Sequence, residues 1–128
     1  MRTHYDEGIM NDTASTGELP TQTFAWGTLQ WLCNSAIFPG TTQTVGICHL
    51  FAGCSNPAHY HPNCEEILYV QTGHGKHLLG EEWVDVAPGS VVRIPVGLKH
   101  KLTNESDETM ITLIVFSSGD RQTTFLEE

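Results

Sequence analysis

Apolar and polar residues alternate in short stretches from residue 24 onward, and Gly, Pro and Asn residues separate these stretches. A period of two is expected of a strand that buries one face, whereas no apolar period of about 3.6 residues persists long enough for a helix. Many short strands with turn residues between them are typical of an all-β sandwich or barrel. We expect strands over residues 24–33, 42–51, 66–71, 83–86, 91–94, 100–103 and 110–116.

The N-terminal part of this chain of 128 residues differs from the rest. Residues 1–22 are polar, rich in Thr, Asp and Gly, and show no clear period. We therefore expect an N-terminal arm over residues 1–22, loose alone or ordered against a partner subunit, and one β-barrel domain over residues 23–128. The arm and the aromatic-rich strand of residues 24–31 offer a sheet edge that would otherwise be exposed, which predicts a homodimer.

Charge narrows the range of partners. The chain has 15 acidic and 6 basic residues, a formal charge of -9, and no run of Lys or Arg. This balance argues against nucleic acid and anionic membrane surfaces as partners. No apolar run approaches the roughly 20 residues of a membrane span, and the absence of an apolar signal core in residues 1–20 predicts a cytoplasmic protein.

The four cysteines fit no CxxC zinc pattern. In a reducing cytosol they are expected to be free, buried thiols. Cys64 lies between His61 and Glu66, so a role as a soft metal ligand or redox group stays open for this one residue.

The clearest chemistry belongs to His59 and His61, which are followed by Glu65, Glu66 and, later, His100. Two residues apart on a strand, His59 and His61 project to the same face. Neutral imidazoles with one carboxylate form a ligand set that suits Fe, Mn, Zn, Ni or Cu. These residues can also be read as solvated surface groups, but their number and spacing favour a site for one transition-metal ion.

Two spaced patterns surround these residues, G-x5-H-x-H-x4-E-x6-G and G-x5-P-x-G-x2-H-x3-N. The first is filled by Gly53, His59, His61, Glu66 and Gly73, and the second by Gly89, Pro95, Gly97, His100 and Asn104. Because both patterns are complete and in order, the chain resembles the cupin superfamily, in particular its small single-domain metal-binding members with two germin-like motifs. The resemblance covers residues 53–104 and implies a jelly-roll barrel of the double-stranded β-helix type.

The resemblance also implies the metal ligands. Carried over position by position, they are His59, His61, Glu66 and His100. The cofactor would be one divalent transition metal ion, with Fe, Mn, Zn or Ni as candidates. Four protein ligands leave open positions on a five- or six-coordinate ion, which would admit water, dioxygen or a bidentate substrate.

Glu65 competes with Glu66 as the carboxylate ligand, because the family pattern allows three or four residues after the second histidine. Glu66 leaves the six-residue gap to Gly73 that the pattern requires. Strand alternation also places Glu66 on the same face as the apolar Leu68 and Val70, as an inward position requires. We therefore favour Glu66.

Two further residues are candidates for catalysis. His77 lies just past the first motif on an expected barrel strand, and we prefer it as an acid or base in the pocket. Arg93 is a rare cation beside the second motif, where it could pair with a substrate carboxylate. Ordinary roles stay open for both, as a surface or packing histidine and as a member of a simple ion pair.

Cupins run very different reactions, and some only bind ligands, so the fold does not determine the function. We interpret the chain as a small-molecule metalloenzyme that acts on a chelating, oxygenated substrate. An imidazole-rich ligand set suits iron and favours a dioxygenase. The alternatives are a non-catalytic binding or sensing module, a sugar isomerase or epimerase, and a barrel in which the metal only stabilises the fold. The expected inward apolar residues favour an organic substrate of modest polarity, and these are Leu68, Val70, Leu102 and Ile114.

Overall fold

The computed structural model describes residues 12–127, which form two antiparallel β-sheets of a jelly-roll domain. The expected all-β fold is therefore confirmed. Within these residues the helical structure is a single 3-10 turn at Thr16–Glu18. None of the helices in the described part of the chain is long and apolar enough to cross a membrane. Residues 1–11, half of the expected N-terminal arm, lie outside the described residues.

The strands are numbered in chain order. They are β1 (Thr21–Phe24), β2 (Gly27–Cys33), β3 (Thr44–Leu50), β4 (His59–Tyr60), β5 (Glu66–Thr72), β6 (Gly75–Leu79), β7 (Glu82–Val86), β8 (Val91–Ile94), β9 (His100–Asn104), β10 (Met110–Phe116) and β11 (Thr124–Phe125). One sheet has the strand order β1-β2-β3-β10-β5-β8, and the other has the order β11-β4-β9-β6-β7. Apart from β1-β2-β3 and β6-β7, neighbouring strands are not consecutive in the chain, so residues from both motifs meet between the two sheets.

Alternate residues of the central strands point into the space between the sheets. In β5, Glu66, Leu68 and Val70 are buried, while the intervening Ile67 and Tyr69 are more exposed. β3 and β10 show the same alternation along their whole length. The expected inward residues are all buried, and these are Leu68, Val70, Leu102 and Ile114. The same alternation brings Glu66 to the inner face, where the core and the site lie.

β1 starts at Thr21, inside the range expected for the arm, and pairs with β2 at the edge of its sheet. All of its residues are exposed, and Phe24 stacks on Trp26 with ring centroids 4.8 Å apart. An exposed edge strand with aromatic side chains is a surface on which a second chain can pair. The homodimer stays a prediction.

The side-chain amide of Asn104, which is 1% exposed, links β3 to the turn after β9. Its Nδ2 donates to the carbonyl oxygens of Leu50 and Glu108 at 2.9 and 2.8 Å. Its Oδ1 accepts from the backbone N–H and the hydroxyl of Ser106 at 2.9 and 2.6 Å. The side chain therefore joins β3 to the turn between β9 and β10, with all of its hydrogen-bonding capacity used.

We expect Asn104→Ala to lower the free energy of unfolding by about 3 kcal/mol, because it leaves several buried backbone groups without partners. Urea unfolding followed by tryptophan fluorescence measures the loss. Gln71→Ala, at an exposed position of β5, is the control and should change stability little. Equal stability of the two variants would contradict the role assigned to Asn104.

Candidate metal centre

The four predicted ligands meet between the two sheets. His59 on β4 lies directly opposite His100 on β9, and His61 follows β4 by one residue. Glu66 is the first residue of β5 in the other sheet. The strand pairing thus brings side chains that are far apart in the sequence to one point.

The distances around this point are short. One ring nitrogen from each of His59, His61 and His100 lies within 4.8 Å of the others. The Oε1 atom of Glu66 lies 3.4 Å from Nε2 of His61 and 3.2 Å from Nε2 of His100. Glu66 is outside the three-histidine group but contacts two of its members, whereas the neighbouring Glu65 faces outward.

Backbone carbonyl groups hold the three imidazole rings. The Nδ1 atoms of His59, His61 and His100 bond to the carbonyl oxygens of Pro57, Gln122 and Leu98 at 2.7, 2.9 and 2.9 Å, respectively. A carbonyl oxygen can only accept, so each Nδ1 carries the proton. In a neutral ring the Nε2 atom is then an acceptor, as a metal-ligating histidine requires.

The inner atoms of the site have no partners. Nε2 of His61, Nε2 of His100 and Oε1 of Glu66 are buried and make no hydrogen bond among the described residues. Burial without a partner costs about 1–3 kcal/mol for each such atom, and lone pairs at these distances also repel one another. A cation between them removes both penalties, so the donor set fits a divalent transition metal ion.

The protonation states agree with this fit. Burial lowers the pKa of His59 to about 4, so the ring is neutral at neutral pH. Burial alone would raise the pKa of the Glu66 carboxyl, but positive charge on the neighbouring imidazoles of His100 and His61 lowers it well below its usual range. A divalent ion at the same place would supply that positive charge while the imidazoles stay neutral. An ionised carboxylate and neutral imidazoles are the forms that bind metals.

A cavity of about 670 Å³ opens beside the histidines. We call it the chamber. His59 and His61 line the chamber, together with Arg121 and the buried hydroxyl of Thr112, which has no hydrogen-bond partner among the described residues. The rest of the wall is mainly apolar and includes the aromatic residues Phe24, Trp26, Trp31, Phe116 and Phe125. A chamber of this size and lining suits an organic molecule with a substantial apolar body.

Residues 117–127, the C-terminal strap, complete the site. In the strap β11 pairs with β4, with Phe125 opposite His59, and the Gln122 carbonyl oxygen accepts from His61. The N–H of Leu126 donates to the Ala58 carbonyl oxygen at 2.9 Å. Sequence reasoning missed the strap because it lies outside both motifs, and β11 is too short to show a period.

The side chain of Asn63 holds the strap in place. Its Nδ2 donates to the carbonyl oxygen of Asp120 at 2.8 Å, and its Oδ1 accepts from the N–H of Gln122 at 3.0 Å. Gln122 is the residue whose carbonyl oxygen orients His61. An exposed asparagine therefore positions a candidate metal ligand through one intervening residue.

We expect Asn63→Ala to weaken Zn²⁺ binding about tenfold, because a less constrained Gln122 carbonyl no longer fixes the His61 ring. Competition with a chromophoric chelator measures the affinity, and circular dichroism checks the fold. Gln43→Ala, at an exposed position before β3, is the control and should bind as the unmodified protein does. An unchanged affinity in Asn63→Ala would show that the strap does not orient His61.

His77 lies next to the histidine group without joining it. It is 1% exposed, and its ring lies parallel to that of His100 within 28° at a centroid distance of 5.9 Å. Its Nδ1 donates to the carbonyl oxygen of Leu78, and burial lowers its pKa to about 4. It is not among the residues that line the chamber. This placement suits a neutral residue packed against His100 better than the expected acid or base in the pocket.

Arg93 does not reach the site. It lies on the exposed face of β8, because Val92 and Ile94 occupy the buried positions on either side of it. Its Nε forms an ion pair of 2.8 Å with Glu65, and 66% of its side chain is exposed. The expectation that Arg93 pairs with a substrate carboxylate disagrees with this placement, which is that of a surface ion pair.

The cysteines are free, and Cys64 is 1% exposed. Cys64 is not part of the three-histidine group. Burial raises the pKa of its thiol, which favours the protonated form over the thiolate that metals bind.

Comparison with known structures shows the same fold in two oxalate decarboxylases. The Lactobacillus farciminis enzyme in its formate complex matches 86% of this chain with a TM-score of 0.80 and 27% identity. The Bacillus subtilis enzyme at pH 4.6 matches 87% of this chain with a TM-score of 0.79 and 20% identity. The match covers 34% and 30% of those chains, so this chain spans about a third of their length.

Sequence comparison gives a family. An uncharacterized protein of Streptomyces coelicolor is 35% identical over 75 residues, which are 59% of this chain and 70% of that protein. The cupin domain model matches residues 46–116, which contain both motifs and all four predicted ligands. The chain belongs to the cupin family.

Proposed function

We propose that His59, His61, Glu66 and His100 hold one divalent transition metal ion, and that the centre acts on a small organic molecule bound in the chamber. The observation that carries the proposal is the convergence of unpartnered, buried donor atoms at the wall of a large cavity. Metal identity is part of the proposal, with Fe, Mn, Zn or Ni as candidates.

The four proposed ligands differ in whether they line the chamber. His59 and His61 line the chamber, whereas Glu66 and His100 do not, so a substrate approaches from the His59 and His61 side. A bound divalent ion supplies Lewis-acid polarisation of a substrate oxygen and, if it is iron, a route to dioxygen chemistry. The apolar wall excludes water from the reacting group and strengthens electrostatic interactions there.

Dioxygenation of a chelating oxygenated substrate is the reaction we favour, because three imidazoles and one carboxylate suit iron. Decarboxylation is the second candidate, supported by the likeness to the Lactobacillus farciminis oxalate decarboxylase at 27% identity. Oxalate itself fits the chamber poorly, since a small dianion would leave the aromatic wall uncovered. A non-catalytic binding module would use the same chamber, but would bind ligand without turnover.

We expect purified protein to contain about one transition metal ion per chain, and His59→Ala to lose most of it while remaining folded. Elemental analysis by inductively coupled plasma mass spectrometry measures the metal, and thermal unfolding measures the fold. His74→Ala, an exposed histidine, is the matched control and should keep its metal. Full metal content in His59→Ala would contradict the ligand assignment.

The reaction class is tested on the iron-loaded protein. Oxygen uptake is expected with at least one member of a panel of β-diketones, catechols and flavonols, and uptake should disappear in His59→Ala. Carbon dioxide release without oxygen uptake would favour decarboxylation. Stabilisation by a ligand with no turnover of any kind would favour the binding module.

A further inference from the structure

One Lys or Arg side chain of the described residues forms no ion pair. Four of the five described Lys and Arg side chains form ion pairs within 4.0 Å, and these are Lys76 with Asp85, Arg93 with Glu65, Lys99 with Glu81, and Lys101 with Glu127. The fifth, Arg121, forms none among residues 12–127, although the chain carries a formal charge of -9. It is also half-buried, where a charge without an ion pair costs more than at the surface, and the buried carboxylate of Glu66 acts on it only through space.

The guanidinium group of Arg121 lies at the chamber wall, over two aromatic rings that meet edge to face. Its Cζ is 4.4 Å from the ring centroid of Trp31 and 5.2 Å from that of Phe116. Its Nη1 donates to the hydroxyl of Thr123. These contacts hold the planar group in one orientation, yet cation–π contacts and one neutral acceptor do not neutralise its charge.

The Trp31 ring beneath Arg121 is held in place by its neighbours in the sheet. Trp31 lies opposite Gly46 on β3, and a Cβ atom at Gly46 would come 2.6 Å from Cε3 of the Trp31 ring. The Trp31 Nε1 donates to Oε1 of Gln22 at 3.2 Å. The ring is thus held against the sheet, and Arg121 above it is preorganised before any ligand arrives.

Arg121 is also close to the candidate metal ligands. The Thr123 hydroxyl that accepts from Arg121 lies 3.2 Å from Nδ1 of His61. An anionic group bound at Arg121 would therefore place the adjoining part of the same molecule on the His61 side of the chamber. The aromatic residues Phe24 and Trp26 remain for the apolar part of that molecule.

We propose that Arg121 binds the carboxylate of the substrate, and that the chamber takes an organic monocarboxylate with an aromatic or branched aliphatic body. This inference rests on the proposed function in treating the chamber as the substrate site of the metal centre. A guanidinium group can donate two parallel, charge-assisted hydrogen bonds, and the two oxygen atoms of a carboxylate match this geometry. The apolar wall favours ligands that have an apolar body. Small, fully charged dicarboxylates lack such a body and are therefore excluded.

The test compares an acid with its neutral isostere. Isothermal titration calorimetry measures the binding of 2-naphthoate, 4-phenylbutyrate and benzoate, and of the matching carboxamides, to the protein as purified and after dialysis against EDTA. The variants are Arg121→Gln, Arg121→Lys and the control Lys76→Gln, which removes one surface charge that does not line the chamber. Thermal unfolding confirms that each variant is folded.

The unmodified protein is expected to prefer at least one carboxylate over its carboxamide by about tenfold or more, with and without metal. Arg121→Gln should remove this preference, Arg121→Lys should keep part of it, and Lys76→Gln should keep all of it. These outcomes are read on metal-free protein, so they hold even if the metal assignment fails.

Three results would overturn the inference. The first is a carboxylate preference that survives in Arg121→Gln. The second is a preference that disappears on removal of the metal, because the ion and not Arg121 would then hold the carboxylate. The third is the absence of binding by all three acids up to millimolar concentration.

Discussion

The structure depends on a group of lone pairs that face one another inside the protein. Oε1 of Glu66 lies within 3.4 Å of two imidazole Nε2 atoms, and none of the three has a hydrogen-bond partner among residues 12–127. A protein interior rarely tolerates such an arrangement, because both desolvation and repulsion oppose it. A bound cation would remove both costs, which accounts for the convergence of side chains from three strands, β4, β5 and β9, at this point.

The rest of the fold supports this arrangement by fixing the histidine tautomers. Each Nδ1 atom donates to a backbone carbonyl, and one of these carbonyls belongs to the C-terminal strap. The strap also supplies Arg121 to the chamber, so the segment that orients a candidate metal ligand carries the one described Lys or Arg side chain that forms no ion pair. Thr123 contacts both His61 and Arg121, so it connects a candidate metal ligand with the residue proposed to bind the substrate carboxylate.

Much of the fold and the centre of the site could be predicted from the sequence. Strand alternation identified the inward face of β5 and favoured Glu66 over Glu65, and the two motifs located the histidines. Alternation along β8 places Arg93 on the outer face, away from the site, although Arg93 is close to a motif in the sequence. The sequence predicted that His77 lies near the site. Its exclusion from the chamber lining depends on how β6 packs, which no local sequence pattern shows.

The roles of Arg121, Asn63 and the strap could not be predicted from the sequence, because they arise from contacts between segments about 60 residues apart.

The most direct test of the central claim is X-ray absorption spectroscopy of the metal bound in the purified protein. Three imidazole nitrogens and a carboxylate oxygen at about 2.0–2.2 Å are expected, with no sulfur ligand. A sulfur ligand, or a protein that takes up no metal when supplied with Fe, Mn, Zn and Ni, would contradict the account.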